Sequence, residues 1–491
     1  MNLFKLTKFF LYIVSFSVII VSRSTLFPFI VGKYAFFRTT VALAAIFFVW
    51  HWAINSKQEL VNRNQKSALV TSYQFLITNP LVVAVSIFAL IYIISGFFGY
   101  NPSFSFWSNF ERGEGGLQML FLLVYFLLLT AVFRDEKSWR KMLIVASWAA
   151  TLVVAYGLGA ILGIKAFVGE GLCARFAGSL GNPAYLGTYM LFAIFYTVYL
   201  AVNRKQEPET SKQELVNRNQ KSALVTSYQF LITNSWFGLS AIFVIFLLLS
   251  QTRGAFLGLG AAIIFGLFYL FFNSSVSKKI RLVSLSLAAI LIISGSLTVK
   301  FRNSINLSLP FCGEEGMRIL DVSLNTQNFQ TRLWLWQQSI IIFKEKPIFG
   351  WGMENFNVAF EKHYDSRFKV WYDRAHNIFF DYLTMTGILG LLSFIGIFVV
   401  YYWQFFKKTL ISADKKLINA DYQHKSAQIG INQCLQNALL FAMPIAYLVQ
   451  GLVLFDVLPI YINLFLFLAF ANYKFSKQEI GTSKQEPEIK K

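Results

Sequence analysis

Three arginines and one histidine stand in short polar breaks between long apolar runs: Arg112, Arg175, Arg253 and His376. Arg253 lies in Ser250-Gln251-Thr252-Arg253-Gly254-Ala255, and Arg175 in Ala174-Arg175-Phe176-Ala177-Gly178-Ser179-Leu180-Gly181-Asn182-Pro183. Arg112 follows Glu111 in the loop Phe106 to Gly116. A guanidinium stays charged and grips two oxygens at once, which suits a diphosphate. A charge beside an apolar helix is expensive and marks a functional candidate, although a lone arginine at a helix end is more commonly an interfacial side chain reaching for lipid phosphate. His376, in Asp373-Arg374-Ala375-His376-Asn377, directly precedes another apolar run. An imidazole there can take a proton from a hydroxyl near neutral pH. His363 is the weaker choice in the same loop. Three cysteines without a CxxC pair, and no HExxH helix, support neither a metal nor a thiol redox centre.

The elements that must position these groups are transmembrane helices. Of 491 residues 56% are hydrophobic and only 14% charged, with a mean hydropathy of +0.53, whereas soluble domains carry about a quarter charge. Runs of roughly 20 apolar residues give about twelve spans, near 9–31, 36–54, 80–99, 116–133, 141–164, 183–202, 236–252, 254–272, 282–299, 378–404, 434–454 and 458–474. The expected fold is all-α and polytopic: residues 1–299 hold nine spans, 300–377 one large outward loop, 378–475 three more spans and 476–491 an inward tail. The first run has no small-residue cleavage site and reads as a retained helix.

The net charge of +20 would suggest nucleic acid in a soluble chain. Here about 27 of the 44 basic residues fall in segments that share one side with the N-terminus, which fixes the expected orientation with both ends cytoplasmic. The charge therefore requires no nucleic acid; the expected surroundings are the lipid bilayer. Cys173 and Cys312 both fall outside, where an oxidising compartment permits a disulfide, and the sequence leaves their pairing open.

The stretch from Ser56 to Asn79 recurs without a difference from Ser211 to Asn234. Structural repeats keep a pattern while residues diverge, so identity indicates recent copying of DNA: the expectation is a tolerated insertion in inward segments, with a duplicated partner-binding segment as the alternative.

The combination of RFAGSLGNPAYLG around Arg175, QTRGAFLG around Arg253, TRLWLWQQSIIIFKEKPIFGWGMENF and AHNIFFDYLTMTGILGLL resembles the O-antigen ligase family of membrane glycosyltransferases, which includes related polymerases and protein O-oligosaccharyltransferases. The loop SFWSNFERGEGG is similar to a pattern in many members. The resemblance runs from about residue 96 to 400 and implies a GT-C-like fold. It implies transfer of a glycan from undecaprenyl diphosphate to an acceptor hydroxyl, the lipid A-core of lipopolysaccharide or another glycan, on the periplasmic face of the inner membrane, with no cofactor and no metal. The roles it implies are donor diphosphate binding by Arg175 and Arg253 and acceptor activation by His376. Arg112, Glu111, Arg332 and Asn377 are expected to bind substrate. Trp336, Pro347, Gly350 and Gly352 fit the pattern with loop-shaping roles. Two departures stand out: the long inward insertions, and Ala184 where the family often has Asn. A flippase or secondary transporter is the alternative of another class. Transporters place ionisable groups near the bilayer midplane, and Arg23, inside the first apolar run, is the main residue in its favour.

Overall fold

The computed structural model describes residues 2–61, 78–109, 111–169, 175–203, 235–274, 276–301, 327–418 and 426–482. Cys173, Cys312, the second copied stretch and most of the first lie outside the described residues. Every regular element among those described is helical, as apolar segments require where no water can satisfy the backbone. In chain order the helices are α1 (Leu3–Ile13), α2 (Val31–Val61), α3 (Pro80–Phe97), α4 (Pro102–Trp107), α5 (Gly116–Val132), α6 (Glu136–Ile161) and α7 (Pro183–Val202). They continue with α8 (Ser235–Leu249), α9 (Arg253–Phe272), α10 (Lys278–Lys300), α11 (Gln327–Glu345), α12 (Phe356–Lys362), α13 (Ile378–Ile418), α14 (Ser426–Gly451) and α15 (Leu458–Thr482).

Nine helices among the described residues are long and apolar enough to cross a membrane, and α5 and α8 are shorter apolar helices. The first expected span, 9–31, is not one helix. After α1 the chain tightens into a 3-10 turn, Val14–Ile19, and leaves helical geometry at Ile20. The polar run Ser22-Arg23-Ser24-Thr25 and Pro28 explain the break, since Pro cannot continue a helix and short polar side chains bind nearby backbone instead. Thr25 Oγ1 donates to the Ser22 carbonyl at 2.8 Å. Arg23 thus leaves the apolar run altogether and donates to the Lys165 carbonyl.

Local sequence sets the helix starts. Asn79-Pro80, Asn101-Pro102 and Asn182-Pro183 each place an Asn that accepts backbone N–H groups ahead of a Pro that needs none. The innermost helix is α15, whose apolar window is 94% buried against 11% for the peripheral α10. Around α15 pack α5 and α7, while α9 lies along α14. That last contact is close because Gly254 and Gly258 face it: a Cβ on Gly254 would sit 2.1 Å from Gln450 Oε1, and one on Gly258 2.6 Å from the Ala446 carbonyl.

The long loop is fastened to the bundle through its backbone. Helix α13 breaks at Gly387, whose φ is +65°, and the opened turn pairs with 347–352. Trp351 N–H donates to the Thr384 carbonyl at 2.9 Å, Gly352 N–H to Met385 at 2.9 Å, and Ile388 N–H to Pro347 at 2.8 Å. A Cβ on Gly387 would lie 2.2 Å from the Ile348 carbonyl oxygen, and one on Gly350 2.5 Å from the Met385 carbonyl carbon. The loop-shaping roles expected of Pro347, Gly350 and Gly352 have their physical basis in this docking.

Candidate active site

The arginine-bearing turns meet at one end of the bundle. Arg175 enters just ahead of the 3-10 turn Gly178–Leu180, with Phe176 N–H bound to the Leu249 carbonyl at 3.1 Å. Its guanidinium donates from Nε to the Ser250 carbonyl at 3.1 Å and from Nη2 to Thr252 Oγ1 at 3.2 Å. That ties Arg175 to the turn that starts α9 at Arg253. The Arg175 loop is held from behind by Lys33, 2% exposed, whose ammonium donates to the carbonyls of Ile20 at 2.8 Å and Ser179 at 2.7 Å.

Arg332, on α11, closes the group. Its Nη1 donates to the Val453 carbonyl at 2.7 Å. Burial, and then the positive charges of Arg253 and Arg175, pull its pKa below the ordinary arginine range. Like charges near Arg332 disfavour its charged form, and an anion bound beside it would offset them. His376 lies against the same cations. Burial and the charge of Arg332 bring its pKa down to about 4, so the ring is neutral at physiological pH with a lone pair available. Its ring packs edge-to-face against Tyr372 (5.7 Å) and Phe455 (5.2 Å).

The backbone here is strained. The four non-glycine residues with left-handed φ among the described ones are Ser108, Gln251, Glu354 and His376, and all four lie at this end, two residues before Arg253 in one case and at the imidazole itself in another. Such conformations cost of order 1 kcal/mol or more each and persist only where surrounding contacts impose them.

The remaining expected residues fall in other positions. Arg112 is engaged: it pairs with Asp373, with Nε donating to Oδ2 at 2.7 Å, and lies over the Phe455 ring at 5.0 Å. Burial and the nearby Arg374 oppose its charge, yet Asp373 keeps its pKa raised. Asn377 is buried and fully used. Its Oδ1 accepts from Phe379 N–H at 2.9 Å, starting α13, and its Nδ2 donates to the Leu452 carbonyl at 3.0 Å. The geometry gives it a capping role. Glu111, half-buried, makes no hydrogen bond or ion pair with the described residues. His363 sits apart with its Nε2 2.8 Å from Glu345 Oε1.

A second group escaped the sequence reading. Arg374, 3% exposed, is ringed by Glu354 Oε1 (2.7 Å), Glu114 Oε2 (3.0 Å) and Asp381 Oδ2 (3.1 Å). Burial opposes its charge, but these three carboxylates hold its pKa well above the usual range. Burial pushes the Glu114 carboxyl up to about 8 against the pull of Arg374. Burial also carries Asp456 up to about 7; its Oδ2 accepts from Tyr447 (2.5 Å) and Tyr382 (3.3 Å). Asp381 and Asp456 are acids inside or beside apolar runs, the same signal that drew attention to Arg253. No spacing in the sequence connects them, because Glu114 and Arg374 are 260 residues apart. Among the described residues no group of three His, Cys, Asp or Glu side chains is set to hold a metal ion.

Arginines gathered beside a neutral imidazole can bind an oxyanion-rich group while the imidazole receives a proton from a neighbouring hydroxyl. No curated protein sequence matches the chain. Residues 238–395, which include Arg253, Arg332 and His376, match the family model described as O-Antigen ligase. A membrane-crossing helical bundle that brings these residues together at one end carries the domain of the O-antigen ligase family, a family of ligase-type membrane glycosyltransferases.

Proposed function

We propose that the chain transfers a glycan from undecaprenyl diphosphate to an acceptor hydroxyl, the sugar core of lipid A, on the periplasmic face of the inner membrane, without a metal ion. The single observation that carries this reading is the convergence of Arg175, Arg253 and Arg332 beside the neutral ring of His376. The orientation rests on the basic residues counted along the sequence, which put both termini in the cytoplasm.

In this mechanism the acceptor oxygen attacks the anomeric carbon of the donor sugar. The new carbon–oxygen bond forms as the bond to the diphosphate oxygen breaks, and the carrier diphosphate departs with the electron pair. The acceptor proton passes to His376. Negative charge grows on the departing phosphate, and in this reading Arg175, Arg253 and Arg332 stabilise it. The donor also tunes the base. His376 is held neutral by burial and by surrounding cations, so a bound diphosphate, in neutralising those cations, raises the basicity of the imidazole when the acceptor arrives.

The test is reconstitution of the purified protein with a carrier-linked glycan and with lipid A-core as acceptor, with and without chelator. Product in both samples, lost in Arg253→Ala and His376→Ala proteins that insert normally, is the expected result. Full transfer by either variant sinks the mechanism, and so does labelling that puts 300–377 in the cytoplasm. Core-only lipopolysaccharide with long carrier-linked chains in a deletion strain separates a ligase from a polymerase, whose loss leaves single repeat units on the core. Transfer to protein Ser or Thr instead would identify an O-oligosaccharyltransferase.

A further inference from the structure

The turn between α14 and α15, residues 452–457, lies beyond the matched family segment and carries no residue that the sequence reading singled out. It nevertheless touches Arg332, His376, Asn377, Arg112 and the group around Arg374. Its carbonyls at Leu452 and Val453 accept from Asn377 and Arg332. Asp456 is bound by Tyr447 and Tyr382, and the N–H of Leu458, the first residue of α15, donates to Glu114 Oε1 at 3.1 Å. Anchors on four sides leave this turn little freedom. At its centre Phe455, 3% exposed, presents one ring to three groups. The imidazole of His376 is 5.2 Å away, the guanidinium of Arg112 5.0 Å and that of Arg374 5.5 Å. Tyr185 meets it edge-on at 6.1 Å.

His376 needs such a support. Its backbone is left-handed, and its ring makes no hydrogen bond with a described residue, so the orienting carboxylate or carbonyl that fixes many catalytic imidazoles is missing here. What touches the ring are the aromatic edges and faces of Tyr372 and Phe455. Tyr372 is only half-buried and belongs to the same loop as His376, whereas Phe455 is buried and belongs to the anchored turn. Cations favour the face of an aromatic ring, so Arg112 and Arg374 in turn hold Phe455 in place.

We infer that Phe455 is a positioning residue that fixes the orientation of the His376 imidazole through ring packing. The inference deepens the transfer reading and rests on it for its catalytic part. Its test compares Phe455→Leu with Phe455→Tyr in the reconstituted full-length protein. The leucine variant is expected to lose about 10- to 100-fold in kcat, as misplacement of a reacting group by about 1 Å does, with KM for the donor within about threefold. The tyrosine variant, which keeps the ring, stays close to the parent protein. If the leucine variant does not fold, Phe455→Met, whose unbranched side chain adapts to irregular gaps, replaces it. A second arm needs no turnover: carbethoxylation of His376, followed on its own peptide by mass spectrometry, is expected to run severalfold faster without the ring. Parental kcat in the leucine variant, equal losses in leucine and tyrosine variants, or an unchanged labelling rate overturns the inference. Should the parent protein transfer nothing while His376 labels faster in the leucine variant, the transfer reading fails and the ring's hold on His376 stands.

Discussion

The two ends of the helix bundle use charge in opposite ways. At the end opposite the site, Glu136 on α6 gathers Lys474 (2.8 Å), Asn203 (2.9 Å) and Tyr473 (3.3 Å), and Lys8 reaches Ser138 at 2.8 Å. These are small, balanced, partly wetted clusters that join neighbouring helix ends. At the site end one buried guanidinium faces three carboxylates, while the Arg332 guanidinium feels the like charges of Arg253 and Arg175. The carboxylates and Arg374 satisfy each other, whereas the like charges about Arg332 favour an anion beside it. Electrostatic tension confined to one end of a molecule, together with its left-handed backbone, is what separates a prepared site from a structural one.

The largest effect should come from Arg374→Met. It strands acids in an apolar setting, and breaking a buried pair from one side costs about 3–5 kcal/mol; yield and thermal unfolding of the detergent-solubilised protein would reveal it. Stable Arg374→Met protein would mean the two ends are more alike than described. Next is Arg253→Ala, expected to slow transfer about 10²- to 10³-fold, or about 2.7–4 kcal/mol, with the unfolding temperature unchanged. Gly387→Ala follows: the strained backbone alone costs of order 1–3 kcal/mol, and the predicted methyl clash with the Ile348 carbonyl adds to it, read as early unfolding and protease cutting of the loop.

The pH responses of the same end have signs that can be worked out. His376, lowered to about 4, keeps its base form down to that pH, so the acid limb of kcat/KM should lie well below 6.5; a limb at 6.5 would contradict its burial among cations. Glu114 is raised to about 8, so its contribution to stability is complete below its unfolded value near 4.5 and fades as pH rises through 8. Glu114→Gln should flatten that alkaline loss in thermal melts. The smallest effect belongs to the opposite end. Lys474→Met should change stability by about 0–1 kcal/mol, since its partner Glu136 is 35% exposed and solvent screens such pairs.

Much of the bundle could be read in the sequence because an apolar run of sufficient length has few alternatives to a helix. The exception, 9–31, failed where Ser22, Arg23 and Pro28 outweighed the mean hydropathy around them. Arg175 and Arg253 were visible as charges stranded at helix ends. Arg112 and Asn377 were visible too, but their engagement with Asp373 and Leu452 depends on contacts between distant segments, which spacing cannot reveal. Glu114, Glu354, Arg374 and Asp381 form one unit only after folding. Phe455 is one of 53 phenylalanines, and only the geometry of its turn distinguishes it.

The Asn-Pro helix starts have a consequence for how this chain could lengthen. The copied stretch ends on Asn79, whose Oδ1 accepts from Leu81 N–H at 3.0 Å and Val82 N–H at 3.3 Å, while its Nδ2 donates to Ser476 at 3.1 Å. The segment therefore terminates in the signal that the following helix requires. A piece of DNA that carries its own start mark for the next helix can enter a connecting segment without moving the helix it precedes, and the site at the far end of the bundle keeps its registration.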